Sequence, residues 1–424
     1  MDEIGNIIKE FIDLREEILE RELKIKEVEG KAITIIGPRR AGKTYFQLFY
    51  FQKYRDEGKN VIYFPFDDDR IYPPTLKTIQ DVIKVSKEFY PEGKIYFFFD
   101  EIQEVEKWEL AVKRLVEREN CYVFLTGSSS KLLSKEIATQ LRGRSISYEI
   151  FPFSFKEITK LKNIKLEKYF TEREQAKIRR LLKDYLFQGG FPEIWIKGLR
   201  NEILKEYFNL IIYRDLVERW KIRNYKALRL FLKMAINNFS SKFSVNSAEK
   251  YMKNMKLEVS RNTLYNYLEY SNDAYILFPL RKFSFSLKEV EQSLPKIYII
   301  DNGLIKILSS GSENYGRLME NIVFLQLRRK YKENKSIFYF ETKEGYEVDF
   351  IVKEDLKVKQ LIQVTYASAR DEIEQREIKA LVKAFETFKK DKPELLIITW
   401  DYEDEMRIGN LKIKCIPLYN YLIF

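Results

Sequence analysis

Gly37-Pro38-Arg39-Arg40-Ala41-Gly42-Lys43-Thr44 follows directly on the apolar run Ala32 to Ile36. The spacing is G-x-x-x-x-G-K-[ST], set between a short buried strand and an amphipathic helical stretch, which is the context a phosphate-cradling loop requires. In such a loop the backbone N–H groups turn inward at a helix N-terminus, where the dipole favours anions. Lys43 then reaches the β- and γ-phosphates of a nucleotide, and the Thr44 hydroxyl binds Mg2+.

Hydrolysis at such a site needs carboxylates, and the apolar run Tyr96-Phe97-Phe98-Phe99 ends in Asp100-Glu101. Asp100 is expected to hold Mg2+ opposite Thr44. Glu101 beside it is the expected base, orienting and deprotonating an attacking water. A later run ends in Thr126-Gly127-Ser128-Ser129-Ser130. Thr126 or Ser128 is placed to hydrogen-bond the water or the γ-phosphate, while Ser130 suits a helix N-cap. Leu141-Arg142-Gly143-Arg144 offers two guanidiniums. Arg144 first, and Arg142 second, would stabilise transition-state charge in cis or from a neighbouring subunit, the alternative being an ordinary surface pair. Asp67-Asp68-Asp69 at the end of the second strand reads as a solvated loop, the alternative being a contribution to the site.

The elements that must position these residues alternate. Strand-like runs at 32–36, 61–66, 95–99, 122–126 and 146–150 are separated by helical patterns at 44–57, 76–89, 107–119 and 131–140. The runs are continuously apolar, so both faces are buried, and a parallel sheet in a three-layer α/β fold follows. Active sites in such sheets lie at the carboxyl ends of the strands. The additional-strand arrangement would place the 122–126 strand between the P-loop strand and the Asp100 strand. Residues 1–30 read as one amphipathic helix, with Ile4, Ile7, Ile8, Phe11, Leu14 and Ile18 at helical spacing.

Taken together, the P-loop, Phe-Asp-Glu-Ile-Gln at 99–103, Leu-Thr-Gly-Ser-Ser-Ser at 125–130, Leu-Arg-Gly-Arg at 141–144, Phe-Pro-Phe-Ser-Phe-Lys-Glu at 151–157 and Gly-Gly-Phe-Pro-Glu at 189–193 resemble one family. It is that of the archaeal and bacterial AAA-superfamily ATPases that join a P-loop domain to a winged helix and a restriction-endonuclease-like C-terminal domain. The resemblance covers most of the chain and is most specific in its first 225 residues. It implies ATP as nucleotide, Mg2+ as cofactor and a cytoplasmic setting.

The expected domains are a P-loop ATPase domain at 1–160, a helical connector at 161–225, a winged helix at 226–290 and a smaller α/β endonuclease-like domain at 291–424. In the winged helix, Ser260 caps a helix whose Leu264 and Leu268 face inward. Arg261, Asn262, Tyr265 and Asn266 face outward, toward a major groove if one is met. Arg281 and Lys282 in the following ribbon are candidates for phosphate contacts. Winged helices also serve as lids and subunit contacts, so the fold alone does not establish DNA binding.

Two-metal nucleases of the restriction-endonuclease type carry an acid on a helix, an Asp on one strand and Glu-x-Lys on the next, the acids holding Mg2+. Glu320 and Asp349 fill the first two positions. Gln363 and Thr365 stand where the Glu and Lys belong, and Thr365 supplies no positive charge; Lys343 is a candidate migrated lysine. The domain is expected to bind or dock rather than cut.

The composition narrows the chemistry further. There is no histidine and there are two cysteines, which excludes Ser-His-Asp and Cys-His catalysis, nearly every zinc hydrolase and a disulfide framework. The first residues lack the basic and apolar segments of a signal peptide, and no apolar run is long enough to span a membrane. A net charge of +11 suits either a polyanionic partner or a Lys- and Glu-rich thermophile surface. The expectation is Mg2+-dependent ATP hydrolysis coupled to DNA binding or remodelling, with possible self-association through Arg142 and Arg144. A nucleotide-controlled switch without nucleic acid and an ATP-gated nuclease are the alternatives.

Overall fold

The computed structural model describes residues 2–127, 141, 143–167, 170–198, 200–308 and 314–424. The chain divides into two units, Met1–Phe151 and Pro152–Phe424.

In the first unit, strands β1 (Ala32–Ile36), β2 (Asn60–Pro65), β3 (Ile95–Asp100), β4 (Cys121–Thr126) and β5 (Ser145–Glu149) form one parallel sheet in the order β2-β3-β4-β1-β5. The β4 strand therefore lies between the Asp100 strand and the P-loop strand. Alternate residues feed two separate cores: Ile62, Phe64, Phe97 and Phe99 on one face, Ile33, Tyr63, Phe98 and Phe124 on the other. Burial on both faces is why the strands read as unbroken apolar runs. Helices α1 (Asp2–Asp13), α3 (Leu76–Phe89) and α4 (Trp108–Arg118) cover the first face, and α2 (Lys43–Asp56) covers the second.

The N-terminal segment departs from the sequence expectation. The helix ends at Asp13, and residues 14–31 run without regular structure apart from a turn at 29–30. The reason lies in the two cores. Ile4, Ile7 and Ile8 pack on the α3–α4 face, whereas Leu14, Ile18, Leu23 and Ile25 pack on the α2 face. One straight helix cannot serve both faces of a sheet. Arg55 holds the break by donating from Nη1 to the carbonyls of Ile12 (3.0 Å) and Leu14 (2.6 Å).

The second unit begins with helices α5 (Phe155–Leu161), α6 (Glu172–Gln188), α7 (Pro192–Lys197) and α8 (Arg200–Leu210). The expected boundary at 160 falls too late, because Phe153 N–H donates to Gly190 O (2.7 Å) and Tyr185 OH to Phe153 O (3.1 Å). Next come α9 (Tyr225–Asn237), β6 (Ser241–Lys242), α10 (Val245–Asn254), α11 (Arg261–Asp273), β7 (Leu277–Leu280), α12 (Leu287–Gln292) and β8 (Lys296–Ile299). Strand β8 pairs antiparallel with both β6 and β7 in a sheet ordered β6-β8-β7, so a boundary at 290 would cut that sheet.

Helices α13 (Asn302–Leu308) and α14 (Tyr315–Lys330) lead to β9 (Ile337–Glu341), β10 (Glu347–Glu354), β11 (Lys357–Val364), α15 (Gln375–Thr387), β12 (Glu394–Thr399), β13 (Asp404–Ile408), β14 (Leu411–Pro417) and α16 (Leu418–Ile423). The sheet is mixed and six-stranded, ordered β13-β14-β12-β11-β10-β9. Beyond β7 the chain reaches its edge: Phe283 N–H donates to Tyr339 O (2.7 Å) and Tyr339 N–H to Arg281 O (3.2 Å).

Candidate functional site

The loop between β1 and α2 has the backbone its sequence demands. Gly37 sits at φ +146°, and a Cβ there would lie 2.1 Å from Ile150 O, so only glycine lets the loop pass. Gly42 is the left-handed N-cap of α2; it has no side chain to cap with, and no acid stands in the first turn. The first N–H groups of a helix lack intrahelical partners, so this terminus suits an anion. Lys43 is buried and donates from Nζ to Gly37 O (3.1 Å) and Pro38 O (3.0 Å), which curls it across the loop. Thr44 follows it in the first turn, half-buried. A buried arginine that the motif search missed braces the loop from outside: Arg21 donates to Ala41 O (3.0 Å) and Phe151 O (2.6 Å).

At the carboxyl edge of the neighbouring strands, Asp100 is buried and held on both oxygens. Tyr63 OH donates to Oδ2 at 2.8 Å, the Thr126 hydroxyl donates to Oδ1, and Glu101 N–H reaches Oδ1 at 3.1 Å. Thr126 thus serves Asp100, and it lies 3.2 Å from Gln47 Oε1. Gln47 in turn donates to Phe99 O (3.2 Å) and Phe124 O (3.0 Å), tying α2 to the ends of β3 and β4. Tyr63 pairs with Phe98 and so shares the face of Asp100. Gln47, one turn after Lys43, was the polar residue on a buried helix face. Glu101 adopts the left-handed conformation (φ 47°, ψ 40°) and accepts from Gln103 Nε2. Burial and then the charge of Asp100 push Asp67 above its usual range, while Asp68 and Glu10 are neutralised by Arg70.

This donor set fits a nucleotide with Mg2+. A carboxylate fixed by three donors, a hydroxyl-bearing Thr44 and a lysine in the loop are the hard oxygen ligands and the cation that such a group takes.

Two other expectations fare differently. Ser128 and Arg142 lie outside the described residues. Arg144 precedes β5, and Ser145 pairs with Ala32, the first residue of β1. It therefore stands at the amino edge of the sheet, across the strand length from the P-loop, where its Nε meets Glu117 Oε1 at 2.7 Å. A role for Arg144 in cis does not fit this placement.

The second unit gathers another polar cluster. Lys296 Nζ lies 2.5 Å from Glu320 Oε1, 3.0 Å from Glu347 Oε1 and 3.1 Å from Asp349 Oδ1; Lys296, Glu320 and Asp349 are buried and Glu347 is part-exposed. Burial and then the charge of Asp349 raise Glu320 above the usual carboxylate range. Gln363 Oε1 accepts from Asp349 N–H (3.4 Å), and Val364 N–H donates to Asp349 Oδ2 (2.9 Å). Lys343, the candidate named for a migrated lysine, is exposed, and the lysine that meets the acids is Lys296. A lysine just before an apolar run, 297–300, was the only sequence signal for Lys296. On α11, Leu264 and Leu268 are buried while Asn262, Tyr265 and Asn266 are exposed. Arg281 and Lys282, the phosphate candidates, pair instead with Glu291 (2.5 Å) and Glu289 (2.6 Å).

The five-stranded parallel sheet with its P-loop and strand-end acids defines an α/β P-loop ATPase fold of AAA type. Residues 29–159 match the family described as an AAA domain; residues 179–314 and 315–421 match two domains of unknown function. The chain belongs to the AAA superfamily of P-loop ATPases, in one family with an uncharacterized protein of Methanocaldococcus jannaschii that is 41% identical over 392 residues, 92% of this chain and 86% of the relative. An uncharacterized protein of Haemophilus influenzae is 27% identical over 94% of this chain and 96% of its own length. Among solved structures, a Walker-type ATPase of Pyrococcus abyssi is similar at a TM-score of 0.40 and 14% identity, over 72% of this chain and 95% of that one. No described helix is long and apolar enough to cross a membrane.

Proposed function

We propose that the chain hydrolyses ATP with Mg2+ and couples the hydrolysis to binding or remodelling DNA. The observation that carries the first part is Asp100, a buried carboxylate with three donors, one strand away from the P-loop strand across β4. Its fixed geometry suits a group that receives Mg2+ without reorganising. In this reading Gly37 to Thr44 hold the phosphates, Lys43 neutralises the developing charge, Thr44 and Asp100 hold Mg2+, and Glu101 orients and deprotonates the water. Ser128 is the proposed sensor, and Arg144 acts from one copy upon another.

The DNA part rests on the order helix, strand, helix, helix, strand, short helix, strand over residues 225–299, read as a winged helix, and on Asn262, Tyr265 and Asn266 exposed on α11. These side chains suit base edges in a major groove. The pairing of Arg281 and Lys282 with glutamates favours the second reading, a nucleotide-controlled switch in which these domains contact protein. ATP turnover measured with and without duplex and single-stranded DNA, with Lys43→Ala as control, decides between them. Stimulation by DNA supports the first; no DNA binding even at low salt leaves the switch.

A further inference from the structure

The mixed sheet of the second unit carries acids where an endonuclease-like site would hold a divalent metal. The side chains do not fit that metal. The ammonium of Lys296 already lies within 3.1 Å of an oxygen from each of Glu320, Glu347 and Asp349. Two further oxygens are also engaged: Glu347 Oε2 meets Lys242 at 2.9 Å, and Asp349 Oδ2 accepts from Val364 N–H. Tyr298 OH donates to the same Glu320 oxygen that faces Lys296 (2.6 Å). Among the described residues no group of acids, histidines or cysteines is arranged to hold a metal ion.

We propose that Lys296 is the resident cation of this acidic centre, standing where a divalent metal would otherwise sit, and that the centre joins two sheets instead of cutting nucleic acid. Lys296 comes from β8 and Lys242 from its partner β6, and the two are directly opposite in register. Like charges facing each other across a strand pair destabilise it unless something lies between them. Glu347 does, with one oxygen on each ammonium, and Glu341 takes Lys242 at 2.9 Å. The three-stranded sheet is thereby locked to β9, β10 and α14 through charges that are paired on both sides. A buried ion group of this kind is costly to break, because removing one partner leaves the others unpaired in the interior.

The test uses the full chain without nucleotide and Mn2+ as the probe, counted by equilibrium dialysis, in wild type, Asp349→Asn, Lys296→Met and the double variant. The expected result is equal Mn2+ uptake by wild type and Asp349→Asn, and one additional Mn2+ per chain in Lys296→Met that the double variant loses. A folded Lys296→Met chain, verified by circular dichroism, that gains no Mn2+ would overturn the proposal. Should Lys296→Met fail to fold, the first pair still decides. Mn2+ uptake, or Mn2+-dependent cleavage of plasmid DNA, that falls in Asp349→Asn relative to wild type means a metal displaces Lys296 and the idea is wrong; equality sustains it.

Discussion

In the proposed mechanism Lys43, Asp100 and Glu101 have different work and should fail differently. Lys43→Ala is expected to abolish ATP turnover. Glu101→Gln should keep nucleotide binding and lose about two orders of magnitude or more in the hydrolytic step, as removal of a general base does; unchanged single-turnover hydrolysis would show that Glu101 is not the base. Tyr63 tests the support of Asp100. A hydrogen bond to a charged acceptor is worth roughly 1.5–3 kcal/mol. Tyr63→Phe should therefore raise the Mg2+ concentration for half-maximal turnover by about tenfold to a hundredfold, while binding of nucleotide without metal stays unchanged. The positions of these residues were legible because each acid or lysine follows an apolar strand at a spacing that chemistry dictates. Tyr63, Gln47 and Arg21 were harder to see, since they act by holding other groups and carry no spacing of their own.

Among the elements, the turn between α6 and α7 shows what a sequence motif can conceal. Gly189 and Gly190 wrap the carboxylate of Asp301: Gly190 N–H and Gly303 N–H donate to it at 2.6 and 2.8 Å, and a Cβ on Gly189 would overlap its oxygen. Burial raises Asp301 to about 7, against these backbone donors that lower it. A carboxyl whose folded pKa is raised binds its proton more tightly folded than unfolded. Its contribution is present below the ordinary value near 4 and is lost as pH rises toward about 7. Urea unfolding of the second unit should accordingly show lower stability at pH 8 than at pH 5, and the slope should be shallower in Asp301→Asn. Equal slopes would remove Asp301 from the explanation. The pair of glycines announced a tight turn; that a buried acid 111 residues later lies in it depends on a long-range contact that no local pattern encodes. The same limit applies to α1, where helical periodicity continued past Asp13 although the chain there changes faces of the sheet.

For the whole molecule, the position of Arg144 on the amino edge of its sheet makes self-association measurable. If the guanidinium serves a neighbouring copy, specific ATPase activity should rise with protein concentration in wild type and stay low and flat in Arg144→Ala. Concentration-independent activity would confine it to its ion pair with Glu117. DNA binding, if present, should weaken steeply with salt, because phosphate contacts release counterions. The segment 281–283 has a further bearing on solubility. It occupies the outer side of β9, while the opposite margin of that sheet, β13, exposes Asp404, Glu405 and Arg407. Open strand margins recruit other chains unless covered or charged. One margin is thus shielded by a loop and the other by charge, and a chain shortened through residues 281–295 would be expected to aggregate edge to edge even with its nucleotide site intact.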